Sequence, residues 1–148
     1  LVMDILKPDL KIKKRPFWVE EVTDSDNYQL IFSAATNLIN PAKKLLASRA
    51  RVVGLDYKRK EDGILIWGRV EQELSFLGLD DVIHVQKDIL SFSQYLKLRL
   101  TDEKITLKSK DIKVLPQLLQ EENRANLDYL LTLNVFLTKE KLYDLPVS

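Results

Sequence analysis

One run constrains the fold of this chain more than any other: Arg51-Val-Val-Gly-Leu-Asp-Tyr-Lys-Arg-Lys-Glu-Asp-Gly-Ile-Leu-Ile-Trp-Gly-Arg-Val70. It reads as strand, charged turn, strand. The first arm is apolar through Val52, Val53 and Leu55, and the turn spans Lys58 to Gly63. The second arm is Ile64, Leu65, Ile66 and Trp67, closed by Gly68. A Trp in a β-branched run, followed at once by Gly, marks a backbone that bends or is closely approached. On this reading Trp67 stands at a half-buried edge of a central sheet, with Gly63 and Gly68 at backbone turns.

The flanking segments extend the pattern. Phe17 to Val22 and Tyr28 to Ser33 read as two strands joined by a turn at Thr23-Asp-Ser-Asp-Asn27, whose side chains favour Asx and Ser turns. Asn40-Pro-Ala-Lys-Lys-Leu-Leu-Ala-Ser48 reads as a short helix, with Asn40 as N-cap and Pro41 at the first helical position. Glu73 to Leu77 is too short to assign by period, and residues 80–86 contain a short strand. Leu96, Leu98 and Leu100 alternate with Lys97 and Arg99, and Ile105 to Lys108 alternates again after Thr101-Asp-Glu-Lys104. These two runs read as a second hairpin. Leu118, Leu119, Leu127, Leu130 and Leu131 recur near helical spacing, which predicts one bent helix or two short ones over 116–137. Strands preceding helices give an α+β domain of antiparallel hairpins, a short helix between strands and a C-terminal helical segment. The expected organisation is a single domain over 1–148: a basic N-terminal arm at 1–16, a mostly β core at 17–114 and a helical tail at 115–148. The chain opens Leu1-Val-Met rather than with Met, which fits a piece excised from a longer protein.

Composition removes several function classes. The 148 residues suit one core. Formal net charge is +1, so the chain as a whole attracts neither nucleic acid nor anionic membrane strongly. There is no cysteine, which excludes a disulfide framework and thiolate chemistry and fits a reducing, cytoplasmic setting. No apolar run reaches the roughly 18 residues that span a bilayer.

No catalytic or metal motif is complete, and no cofactor is expected. His84, the one histidine, alternates with apolar neighbours in Val82-Ile-His-Val85 and reads as structural or surface. Glu20-Glu21, Asp80-Asp81 and Glu121-Glu122 are sequence neighbours, which point to opposite faces on a strand and form no acid/base dyad by themselves. Asp24-Ser-Asp26 has the start of a calcium loop without its Gly and its final Glu. The basic residues carry more. Arg49, Arg51, Lys58, Arg59 and Arg69 surround the Trp67 hairpin. Arg suits bidentate phosphate contacts, and Trp67 offers a stacking face, so the six residues form a candidate site for a small anionic or nucleotide-like ligand. No Walker-type glycine loop and no dinucleotide fingerprint is present. The competing reading is a core Trp67 beneath a solvated hairpin tip.

The order of features, with Val52-Val-Gly-Leu leading through a polar turn to Asp62-Gly-Ile-Leu-Ile-Trp-Gly68 and a later alternating hairpin at Tyr95 to Leu107, resembles the probable sensor domains associated with diadenylate cyclases, the DACNV type. The resemblance covers residues 28–110, and its specific part is Gly63 to Gly68. It implies a cytoplasmic, non-catalytic regulatory module that senses a ligand or state and controls an attached or partner cyclase domain in cyclic di-AMP signalling. The family's catalytic domain is expected to carry Asp-Gly-Ala and Arg-His-Arg. Here Asp62-Gly63 is followed by Ile64 and there is no Arg-His-Arg, so this chain is not expected to be an enzyme. Two other classes stay open: a protein- or nucleic-acid-binding β-rich module, and an enzyme fragment whose site another chain completes.

Overall fold

A computed structural model describes residues 13–147. Six strands run in chain order: β1 Lys13–Asn37, β2 Ala42–Lys60, β3 Gly63–Gly78, β4 Ile83–Lys97, β5 Lys104–Leu119 and β6 Arg124–Val147. A 3-10 turn, Gln120–Glu122, joins the last two. They form two antiparallel three-stranded sheets, ordered β1-β6-β5 and β2-β3-β4. Strand β2 lies against β5, and β1 approaches β4, so the sheets stack face to face with β3 and β6 as the two central strands.

Period-two burial explains this architecture. Along β3, Ile64, Ile66, Gly68, Val70, Gln72, Leu74 and Phe76 are buried while the residues between them are not. Along β6, Ala125, Leu127, Tyr129, Leu131, Leu133 and Val135 do the same. These two rows belong to one hydrophobic cluster. Each large aliphatic side chain sealed there contributes about 1.5–3 kcal/mol relative to exposure. Phe32 of β1 stacks on Phe92 of β4 at 4.5 Å and on Tyr129 of β6 at 4.9 Å, so one ring ties three strands from both sheets. At the heart of the layer the Tyr129 hydroxyl donates to Gln72 Oε1 at 2.6 Å. A polar cluster closes the β1/β4 side: Gln86 Nε2 donates to the Asn37 carbonyl at 2.9 Å, and Thr36 Oγ1 donates to Asp88 Oδ2 at 2.8 Å.

Several sequence expectations are corrected. The fold is all-β, not α+β, and among the described residues there is no α-helix. The segment 116–137 is not helical. Its leucines at 118, 119, 127, 130 and 131 imitate a helical period because Leu130, on the outer face of β6, interrupts an otherwise clean alternation. The polar break there is a tight turn, with Asn123 at φ 50° capping it. Residues 40–48 do not form a helix either. Asn40 and Pro41 lie in the β1–β2 connection, where the Pro41 carbonyl accepts from Leu79 N at 3.0 Å, and β2 begins at Ala42. The segment 17–33 is one strand, not a hairpin. Its polar run produces a register shift between Val22 and Asp24 while β6 pairs on both sides of it. The runs at 93–100 and 105–108 hold strands, yet they are not partners. β4 pairs with β3 and β5 with β6, and residues 98–103 carry the chain from one sheet to the other.

The hairpin at 51–70 is present, with Val52 opposite Val70 and Tyr57 opposite Ile66. Of the expected basic arm, residues 1–12 lie outside the described residues, and Lys13 to Pro16 begin β1. Beyond the Lys104–Thr138 pair, β1 and β6 continue together as a two-stranded ribbon bearing the exposed Trp18 and Leu142. Among the described residues, no helix is long and apolar enough to cross a membrane.

Candidate functional site

The outward face of the β2-β3-β4 sheet holds most of the candidate ligand residues. Register sets three neighbouring rows across it: Lys58–Leu65–Tyr95, Asp56–Trp67–Ser93 and Gly54–Arg69–Ser91. Rows two residues apart on one face lie about 7 Å from each other. The second and third rows enclose an open trough of about 710 Å³, lined among others by Asp56, Trp67, Arg69, Ser91 and Ser93.

Two glycines shape this trough. A side chain at Gly54 would stand 3.5 Å from Arg69 Nε, so the guanidinium lies over a bare backbone. A side chain at Gly68 would collide with the Gly54 carbonyl and meet the Phe92 ring at 2.8 Å. Gly68 is therefore a point of close approach inside a strand, not a turn. Gly63 opens β3 directly after the turn at Glu61-Asp62, and a side chain there would meet the backbone of Leu96 and Lys97. Trp67 is 39% exposed and belongs to the central strand, not to an edge and not to the core.

The predicted cations divide into three groups. Arg49 and Arg51 share the outward face but are matched to carboxylates: Arg51 spans Glu71 with contacts of 3.3 and 3.2 Å, and Arg49 lies 3.7 Å from Glu73. Arg59 points elsewhere. Its two terminal nitrogens donate to the carbonyls of Glu103 at 2.8 Å and Thr101 at 2.9 Å, clamping the crossover loop, which is a structural task. Arg69 and Lys58 remain. Among the described residues neither makes an ion pair or side-chain hydrogen bond. Arg69 thus stands beside Trp67 with its donors unengaged. The trough also includes Asp56, Ser91 and Ser93, and Tyr95 stands one row away. Sequence reasoning missed all four because they join the face only through register, Asp56 by the β2–β3 pairing and Ser91, Ser93 and Tyr95 by the β3–β4 pairing. Burial, then the Asp62 charge, raises the Tyr95 hydroxyl above its ordinary pKa, so it stays a neutral donor.

The residues set aside as structural find partners. His84 Nε2 lies 3.0 Å from Asp80 Oδ2, and its ring stacks on Phe76 at 5.5 Å. The Val82 N–H bond to Asp80, with His84 adding to it, lowers the Asp80 carboxyl below its ordinary value. Asp81, at φ 62°, takes the neighbouring turn position and pairs with Lys43. These contacts fix the β3–β4 turn. Among the described residues, no group of three or more His, Cys, Asp or Glu side chains could hold a metal ion.

A flat ring can stack on Trp67 while an acidic substituent about 7 Å away reaches Arg69. Nothing in the trough pairs a nucleophile with a base. Comparisons with protein-family models, curated proteins and solved structures find no match to this chain.

Proposed function

We propose that this chain is a non-catalytic sensor module, cytoplasmic, that binds a small anionic, nucleotide-like ligand on the outer face of its β2-β3-β4 sheet. The observation that carries the reading is the unpaired Arg69 guanidinium beside the exposed face of Trp67 in an open trough. Charge-assisted bonds from Arg to phosphate and stacking on Trp are the two interactions such a ligand requires. The likeness to diadenylate-cyclase-associated sensor domains at Gly63 to Gly68 supports a regulatory role over an attached or partner cyclase domain. The Tyr95 to Leu107 hairpin that formed part of that likeness is two strands of different sheets here, so the support rests on the β3 run itself.

Within the site, Arg69 and Trp67 bear the ligand, with Lys58, Asp56, Ser91 and Ser93 around it. Arg49 and Arg51 are secondary, because a ligand must compete with Glu73 and Glu71 for them. Calorimetry with mononucleotides and cyclic dinucleotides tests the proposal. Arg69→Ala and Trp67→Ala should each weaken binding more than about tenfold, or about 1.4 kcal/mol. No heat with any of these ligands at millimolar concentration, or affinity indifferent to both changes, would leave the protein-binding reading ahead.

A further inference from the structure

We infer that the free edge of β4 is a self-association surface, on which a second copy of this chain adds its own β4 antiparallel to make one continuous six-stranded sheet. The ligand proposed above does not enter this argument.

The phase of the β3–β4 ladder shows which groups are available. Gly78 N donates to the Val82 carbonyl at 2.8 Å, and at the far end Leu98 N donates to the Asp62 carbonyl at 3.0 Å. Both bonds join even-numbered residues. Bonded and non-bonded pairs alternate along an antiparallel ladder, so even residues of β4 turn their main-chain groups to β3. The odd residues, Ile83 through Lys97, turn theirs to the open edge. Among the described residues, no backbone hydrogen bond joins β4 to the nearby β1, which reaches it only through side chains such as Gln86 and Asp88.

The other outer strands carry irregularities that spoil an edge as a template. β2 shifts register at three places, β1 shifts between Val22 and Asp24, and β5 shifts between Ser109 and Asp111 and contains Pro116. β4 pairs with β3 without any shift and contains no proline. Its outward face presents β-branched side chains to water, with Ile83 64%, Val85 58% and Ile89 59% exposed. Lys87 and Lys97 interrupt this row, yet a long, regular edge with exposed β-branched side chains is a configuration proteins ordinarily avoid unless a strand is added there.

The sequence of β4 is self-complementary in the register that overlaps it fully. Pairing Ile83 with the partner's Lys97 sets Val85 opposite the partner's Tyr95, Lys87 opposite the partner's Ser93 and Ile89 opposite the partner's Ser91. No like charges face each other, odd residues meet odd residues as the free groups require, and the Val–Tyr pair is a favourable cross-strand combination. The arrangement closes about a two-fold axis, so it yields a dimer and stops.

Sedimentation of the whole chain across a concentration series tests this. A monomer–dimer equilibrium is expected for the wild type. Ile89→Lys should shift it at least tenfold toward monomer. Lys87→Pro should do the same, because an odd residue's N–H serves the added strand and not β3. Circular dichroism and melting identify any variant that has not folded. In that event hydrogen exchange on the wild type decides, with slowed exchange at odd β4 amides on concentration expected. A wild type that stays monomeric at high concentration, a dimer untouched by both folded variants, or unchanged odd-residue exchange would each overturn the inference. The first outcome would reserve this edge for a strand of a different protein.

Discussion

Tyr129→Phe removes one oxygen from the centre of the molecule. Tyr129 is 1% exposed and Gln72 0%, and the 2.6 Å bond between them joins the central strands of the two sheets. The Gln72 amide uses its other end locally, Nε2 donating to the Glu73 carbonyl at 3.1 Å. Without the phenol, Gln72 Oε1 is buried and unpaired, which costs about 1–3 kcal/mol. For a domain of this size that lowers Tm by roughly 3–10 °C. Gln72→Leu should cost a similar amount by orphaning the hydroxyl. Making both changes should recover most of the loss, because replacing both partners with apolar groups is nearly neutral. Urea titrations of the four proteins give the coupling directly. The alkaline limb supplies a second readout. Burial, helped by the Asp88 charge, pushes the Tyr129 phenol far above its ordinary value. The unfolded chain therefore releases this proton first as pH rises. The stabilisation is complete below about pH 10 and is lost above it, by up to about 1.4 kcal/mol per pH unit. The difference between wild type and Tyr129→Phe should narrow there. A single-variant loss below about 0.5 kcal/mol, the range of an ordinary surface change, or strict additivity of the two substitutions, would refute the reasoning.

Gly68→Ala places a methyl group against the Gly54 carbonyl and the Phe92 ring, and should cost about 1–3 kcal/mol by overpacking, measured as a lower urea midpoint. Trp67→Ala should cost less than the roughly 3–5 kcal/mol typical of a core aromatic, because its face is on the outside of the sheet; a loss in the core range would place the ring in the interior. Asp80 has a folded-state pKa below its unfolded one, so its contribution is present above about pH 4 and lost as pH falls through the folded value. Asp80→Asn should flatten that part of the acid dependence of Tm, and an unchanged acid limb would contradict the assignment.

The sequence made the 51–70 hairpin legible because turn chemistry and two apolar arms agree there over a short span. It also marked Gly68 as a bend or a place of close approach; the Phe92 ring and Gly54 carbonyl show the approach, while the turn expected there is the interior of β3. Elsewhere local signals competed. Asn40-Pro41 is a helix-start signal that tertiary pairing overrides, since Ala42 onward is held by β3. Thr23 to Asn27 is turn-forming on its own and bulges instead, because β6 holds both flanks in line. The alternation around residues 96–107 was readable, but which strand pairs with which was not. Partnering depends on contacts far apart in sequence. The same limit applied to the candidate site. Arg49, Arg51 and Arg69 share a face, and only the register against Glu73 and Glu71 separates the paired arginines from the free one.

Strand β6 is the last of the described elements and the middle of its sheet. The β2-β3-β4 meander needs only neighbouring hairpins and can assemble first. Its inner row of Ile64, Ile66, Val70 and Leu74 then has no cover, because β1 and β5 cannot pair with each other until β6 enters between them. Closing β1 onto β6 joins residues at opposite ends of the chain, an expensive loop to close and a topology that folds in milliseconds to seconds rather than microseconds. During synthesis, half of the hydrophobic layer therefore waits until β6 has been made. Substitutions that slow β6 docking should reduce the yield of folded protein even where they leave the finished molecule as stable as before.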